Sequence, residues 1–324
     1  VADLLLAAEY LPPADQLKDS EGKPLTARQI PGRGTAYAIL AEVYAWIAGY
    51  GQEPEYYALG IEAAGKVIGD PNYRLVASPE EVCTEVLPGN SEEGIFEVCY
   101  DDSRGEYKDF GSYIGGTVEK WPVLKGTTPA SRRKFFIRNE TVERLYTPED
   151  LRLQAYFADF FRMKEEPVSV TQGAAYVRMW REVEYYSGGI YDGTPRTLLA
   201  NDILIRLPDI LLLRAEMKAA TGDREGAVAD LDVVRRRAGV AGYSEAEGDL
   251  RRAIQLERDR ELLFQTGVRY FDYMRNHTYN LLKGGFRDLT ETDVAAGALF
   301  LPVSLDAMNN NPKVKQTAYW VGKF

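Results

Sequence analysis

The sequence predicts a mostly α fold: tetratricopeptide-like helical hairpins form a scaffold, interrupted by a long loop-rich insertion that contains a few short strands. Three observations carry this reading. Apolar residues recur at helical spacing over residues 34–68, 203–239 and 250–276. The first two of these runs fold back on themselves at a glycine-bearing turn, giving helical hairpins of about 34 residues. Residues 73–201 show no sustained helical period and mix glycine, aromatic and charged residues, a composition that long loops carry when they serve a function.

In chain order, residues 1–11 read as a short amphipathic helix stopped by Pro12 and Pro13, because the residue before a proline is pushed out of the helical region. Residues 18–30 form a polar linker. Over residues 34–48, Ala38, Ala41, Tyr44 and Ala45 share one face, and residues 49–54 turn the chain into a second helix over 55–68. Small residues on facing helices allow close approach. Pro71 and Asn72 end that hairpin. Residues 92–100, EEGIFEVCY, alternate as a strand does. Residues 145–161 predict a helix, since TPEDLRLQAYFADFF opens on a threonine cap, a proline and two acids. Residues 203–220 predict another, with Leu207, Ile210, Leu211 and Arg214 along it. Gly222 and Asp223 make the turn, and Ala227, Leu231 and Val234 line the returning helix.

The chain is organised around residues 250–275, LRRAIQLERDRELLFQTGVRYFDYMR. Wound as a helix, Leu250, Ala253, Ile254, Glu257, Glu261 and Phe264 share a face, so two carboxylates sit on the stripe that should be apolar. Buried carboxylates need partners, and Arg258, Arg260, Arg269 and Arg275 are available in the same stretch. Gly267 then interrupts the helix, and Tyr270, Phe271 and Met274 continue the apolar face into a second short one. Two readings compete for Glu257 and Glu261. They are either an ion-paired brace for the neighbouring helices or a glycoside-hydrolase pair, which needs two carboxylates about 5 to 5.5 Å apart for retention.

With 324 residues, 45% hydrophobic and 27% charged, the chain is long enough for one large core or two ordinary ones. A formal charge of −10 argues against nucleic acid or an anionic membrane as the main ligand. Only Cys83 and Cys99 occur, as a possible disulfide or as two separate thiols. His277 is the single histidine, which leaves little from which to build a zinc site or a catalytic triad, so no metal and no cofactor are expected. The acids at Asp101, Asp102 and Asp109 lack the spacing of a known cation loop. No segment reaches the roughly twenty apolar residues that span a bilayer.

The run ERDRELLFQTGVRYFDYMR resembles the signature of the SusD/RagB family, the lipid-anchored nutrient-binding proteins on the outer surface of Bacteroidetes. ILIRLPDILLLRAEMKAATGDREGAVADLDVVRRRAG, residues 203–239, is similar to that family's arginine-led helix pair. LFLPVSLDAMNNNPKVKQTAYW, residues 299–320, is similar to its proline-rich closing segment. DLLLAAEYLP and GRGTAYAILAEVYAWIAGY also fit, so the motifs occur in the family's order. The resemblance implies a single SusD-like domain over residues 1–324 that lacks its amino-terminal part, with the signal, the lipidated cysteine and the first helices preceding it. The closing segment is then 299–324 and the ligand-binding insertion 73–201. Arg206 and Asp209 fall on the arginine-led motif and read as packing and ion-pair residues, together with Glu257, Glu261 and Arg269.

The resemblance also implies a function: binding of an extracellular glycan at the outer-membrane surface and its delivery to a SusC-like TonB-dependent transporter, without catalysis. A pyranose offers an apolar C–H face and a hydroxyl rim, so it is held by an aromatic ring with polar groups at the edge. The insertion supplies Tyr107, Phe110, Tyr113 and Trp121 beside Asp109, Arg104 and Lys120, and then Trp180, Tyr185, Tyr186 and Tyr191 beside Asp192. The expected ligand-binding set is Tyr107, Phe110, Tyr113, Trp121, Trp180, Tyr186 and Tyr191. Three alternatives stay open: a peptide-binding member of the family, a hydrolase using Glu257 and Glu261, and a repeat scaffold that binds only another protein.

Overall fold

A computed structural model describes residues 1–25, 27–100, 124–128, 136–265, 268–282 and 286–323. Helix α1, Ala2–Tyr10, precedes the first hairpin, formed by α2, Arg33–Gly49, and α3, Tyr56–Ile68. The Gly32 N–H opens α2 by donating to Thr35 Oγ1 at 3.3 Å. Ala38, Ala41 and Ala45 are buried on α2 and Ala63 and Ala64 on α3, and these short side chains set the close approach. Gly60 lies where α3 crosses the helix over Leu207–Ala220, and a Cβ there would press on Met217 Sδ.

The second hairpin is α7, Leu207–Ala220, and α8, Arg224–Arg237, and α9, Leu250–Glu261, packs against both. The two hairpins and α9 share one apolar core that includes Leu40, Tyr44, Val67, Ile210, Leu213, Met217, Leu231 and Ile254. Helix α10, Val268–Arg275, follows and contributes Tyr273 and Met274 to a smaller cluster with Leu299.

The insertion builds its own core. Val82, Val86, Leu87, Val142, Leu153, Tyr156, Phe157, Val177, Met179, Trp180 and Leu198 pack together there. Its elements are short: β1, Gly94–Val98; α4, Asn139–Leu145; α5, Leu151–Tyr156; α6, Phe160–Met163; β2, Val183–Tyr185; and β3, Pro195–Leu198. Strand β1 pairs antiparallel with β4, Asp202–Arg206, placing Phe96 opposite Ile205 and Glu97 opposite Ile203. That ladder ties the start of the insertion to its end. Strands β2 and β3 form a separate antiparallel hairpin with Val183 opposite Leu198.

Three element boundaries differ from the sequence reading, each for a local reason. Residues 203–206 are strand, not helix: Ile203 and Ile205 are β-branched and pair with β1, and the helix starts at Leu207 with Pro208 in its first turn. The helix expected over 145–161 is split. Asp150, not Thr147, caps α5 by accepting from Arg152 N at 2.9 Å, and Asp159 adopts a left-handed φ of 39° before α6. Between them Phe157 bridges Val177, and the Arg178 N–H donates to Tyr156 O at 2.7 Å, drawing the chain out of helix. Helix α9 ends at Glu261, so Phe264, at a φ of 57°, lies beyond it and packs against the insertion's core. Gly267 lies outside the described residues.

Candidate functional site

The acid-bearing face of α9 is a closed ionic network. Glu257 and Glu261 are fully buried. Glu257 Oε1 lies 2.6 Å from Arg152 Nη1, and its Oε2 lies 3.1 Å from Arg260 and 3.3 Å from Arg235. Glu261 meets Arg206 Nη1 at 2.6 Å, Arg152 Nη1 at 3.3 Å, and Arg237. Buried Glu93 joins the same group, 2.6 Å from Arg206 and 3.0 Å from Arg237. Asp209 pairs with Arg258 at 2.6 Å, and Arg269 with Asp259 at 2.8 Å.

Burial pushes the Glu261 carboxyl up, but Arg237, Arg206 and Arg152 outweigh it and hold the group at about 2. Glu257 is likewise lowered: Arg152, Arg260 and Arg235 overcome its burial. A glycosidase acid needs a raised pKa and a sugar within reach. These two carboxylates are held ionised beneath the surface, which removes that role from the pair. The network lies between α9, α8, β4 and the insertion, and joins the repeat scaffold to it.

Among the described residues, the exposed members of the expected ligand-binding set lie on the loop joining β2 to β3, residues 186–194. Its base is set by the hairpin ladder: Tyr186 N donates to Thr194 O and Gly193 N donates to Tyr186 O, each at 2.9 Å. Thr194 holds the far arm, its N and Oγ1 donating to Tyr191 O at 2.9 and 2.6 Å. On the near arm, Gly188 N donates to Asp192 Oδ1 at 2.6 Å. Gly188, Gly189 and Gly193 have φ of 81°, 74° and 71°, left-handed values that glycine adopts without cost. Residues 124–128 support the base; a Cβ on Gly126 would lie 2.2 Å from Gly193 O. Across the strands, Arg196 pairs with Glu184 at 2.8 Å.

This loop brings Tyr186 and Tyr191 together, with ring centroids 5.7 Å apart and planes tilted by 41°. Tyr186 is 43% exposed and Tyr191 59%. Ile190 between them in sequence is 91% exposed and extends the apolar tip. Selecting for aromatic rings passed over Ile190; its signal is the flanking glycines in SGGIYDG, which mark the tip of a turn. Trp180 requires a correction. It is 4% exposed and packs in the insertion's core with Val177 and Met179, so its ring presents no face to a ligand. Tyr107, Phe110, Tyr113 and Trp121 lie outside the described residues, as do Arg104, Asp109, Lys120, Asp101 and Asp102.

The cysteines are both free, Cys83 buried and Cys99 exposed. Among the described residues no cluster of His, Cys, Asp or Glu could hold a metal ion, and no helix is long and apolar enough to cross a membrane.

The family model described as the SusD family matches residues 175–320. The fold is similar to that of a SusD homolog from Bacteroides thetaiotaomicron VPI-5482, with a TM-score of 0.76 at 22% identity over 98% of this chain and 66% of that one. It is similar to surface glycan-binding protein A from Bacteroides uniformis, with a TM-score of 0.68 at 21% identity over 98% of this chain and 67% of that one. Surface glycan-binding protein A from Bacteroides thetaiotaomicron, in complex with laminarihexaose, gives a TM-score of 0.63 at 20% identity over 96% of this chain and 67% of that one. The chain thus spans about two thirds of the length of these structures, 66 to 67%. No curated protein sequence matches it.

Proposed function

We propose that this chain belongs to the SusD/RagB family, a reading supported by the match over residues 175–320 and by the similar fold, and that it binds a glycan through the exposed rings of the 186–194 loop and breaks no bond in it. The observation that carries the reading is the ring pair of Tyr186 and Tyr191, held open to solvent on a hydrogen-bonded loop instead of being spent in a core. Ring faces of this kind take up the apolar face of a sugar, while the phenol hydroxyls and the nearby amides meet its rim. Support for a glycan comes also from the similar fold of a protein whose structure contains laminarihexaose. Tyr107, Phe110, Tyr113 and Trp121 stay in the proposed ligand set; Trp180 leaves it and Ile190 joins it.

In this reading the protein works at the extracellular face of the outer membrane, held there by the lipid anchor that the family resemblance implies. It passes its ligand to a SusC-like TonB-dependent transporter, the partner that the family resemblance implies. Affinity gels containing laminarin, starch, xyloglucan or a mannan test the binding step. The expected result is retardation by at least one polysaccharide and its weakening in Tyr191→Ala. Covering roughly 60 Å² of ring at ~25 cal/mol per Å² is worth about 1.5 kcal/mol, or about tenfold in Kd. Equal migration of the wild type in every gel would refute the reading.

A further inference from the structure

The two arms of the loop are restrained unequally. Tyr186 is fixed by two ladder hydrogen bonds, and the carbonyl of Tyr191 is fixed by Thr194 through two more. The arm between the rings holds Gly188 and Gly189, whose Cβ positions face open space, and the backbone bond within it, Asp192 N to Gly189 O, is long at 3.4 Å. Consecutive glycines lose the most conformational freedom when ordered and regain it most readily. Among the described residues, the side-chain bond that closes this arm is the one from Gly188 N to Asp192 Oδ1, 2.6 Å long. Asp192 is itself exposed and follows Tyr191 directly.

We propose that Asp192 is the positioning residue of this site: by accepting the Gly188 amide proton, its carboxylate holds the glycine arm closed and fixes the Tyr191 ring against Tyr186. This rests on the glycan reading above and deepens it. Asp192 does not need to touch the ligand. It prepays the ordering of the loop, so less binding energy is lost when a sugar settles on the rings. An acceptor oxygen at this position is what matters, so Asn, which keeps Oδ1, substitutes for Asp, and Ala does not.

The experiment compares wild type, Asp192→Ala, Asp192→Asn and Tyr191→Ala. NMR reads Gly188 amide exchange and the ring-to-ring contacts of Tyr186 and Tyr191 without ligand, and the same four polysaccharide gels read binding. In Asp192→Ala, Gly188 exchange should rise at least tenfold, the ring contacts should weaken, and affinity should fall about fivefold with the melting temperature unchanged. Asp192→Asn should restore all three to within twofold. If Tyr191→Ala weakens binding while Asp192→Ala binds and exchanges as wild type does, the positioning role is overturned and the glycan reading stands. If Asp192→Asn fails as Asp192→Ala does, the carboxylate acts by its charge and the acceptor argument is overturned. If no polysaccharide retards the wild type, the glycan reading fails and the positioning role falls with it.

Discussion

Glu261→Gln separates a structural brace from a catalytic acid. The substitution keeps the shape of the side chain and removes its charge from a site where Arg206 stands at 2.6 Å and Arg152 at 3.3 Å, with Arg237 also in contact. Those three guanidiniums are left with Glu93, Glu257 and Asp150 as their anionic partners. Removing one member of a buried ion pair costs about 3–5 kcal/mol, because the remaining charge is stranded in low dielectric. An unfolding entropy of ~2.1 cal/mol/K per residue gives about 0.7 kcal/mol/K for this chain, so the melting temperature should fall by about 4–7 °C. Calorimetry at neutral pH reads the shift.

The pH dependence adds a second signature. The folded pKa of Glu261, about 2, lies below its ordinary 4.5, so its stabilisation is present above 4.5 and is lost as the pH falls through about 2. The gap between wild type and Glu261→Gln should therefore close progressively over that window. A catalytic acid would behave otherwise: its Gln variant would stay as stable as the wild type, or become more so, and lose an activity. A melting temperature within a degree of wild type, with no narrowing of the gap in acid, would refute the brace.

Glu42, whose side chain is only partly buried, has the opposite sign, since desolvation and the neighbouring Asp209 raise its carboxyl to about 8 against the pull of Arg275 and Arg258. Stability should decline as the pH rises from about 4.5 to about 8, and Glu42→Gln should remove that decline, which melting curves at pH 5 and pH 9 would show. Burial also pushes the Cys83 thiol up to about 12, while Cys99 is exposed. Intact mass after maleimide treatment should therefore show one adduct on the folded protein and two on the unfolded one; a folded protein with no adduct, or with two, would contradict the placement.

The scaffold was legible because its signals are local. Alanines at helical spacing in α2, the glycine turn at Gly222 and the prolines after α1 each act within a few residues. The acids on the α9 stripe were legible too, but their partners were only partly so. Of the four arginines in that stretch, Arg260 does reach Glu257. Arg258 and Arg275 are occupied by Asp209, Asp272 and Glu216, and Arg269 by Asp259. Glu261 is instead held by Arg152, Arg206 and Arg237, which tertiary packing brings from other elements and no periodicity announces.

The same distinction applies to the candidate site. The glycines of SGGIYDGTP marked an exposed turn, and Tyr186 and Tyr191 stand open on it. Trp180 sits only a few residues earlier, yet Val177 and the insertion's second core claim it. Burial of a single aromatic in an irregular segment depends on what packs over it, and composition does not carry that. The strand at residues 202–206 was misread for a related reason: the apolar run continues without a break into α7, and pairing with β1, together with Pro208, sets the boundary.

Retardation in polysaccharide gels of wild type and of the double variant Tyr186→Ala/Tyr191→Ala, with reducing ends assayed in the same samples, tests the central claim most directly. The account predicts that at least one glycan retards the wild type, that the double variant loses about tenfold or more in affinity while melting at the same temperature, and that no reducing ends appear. A double variant that binds as tightly as wild type, or sugar released from the polymer, would contradict it.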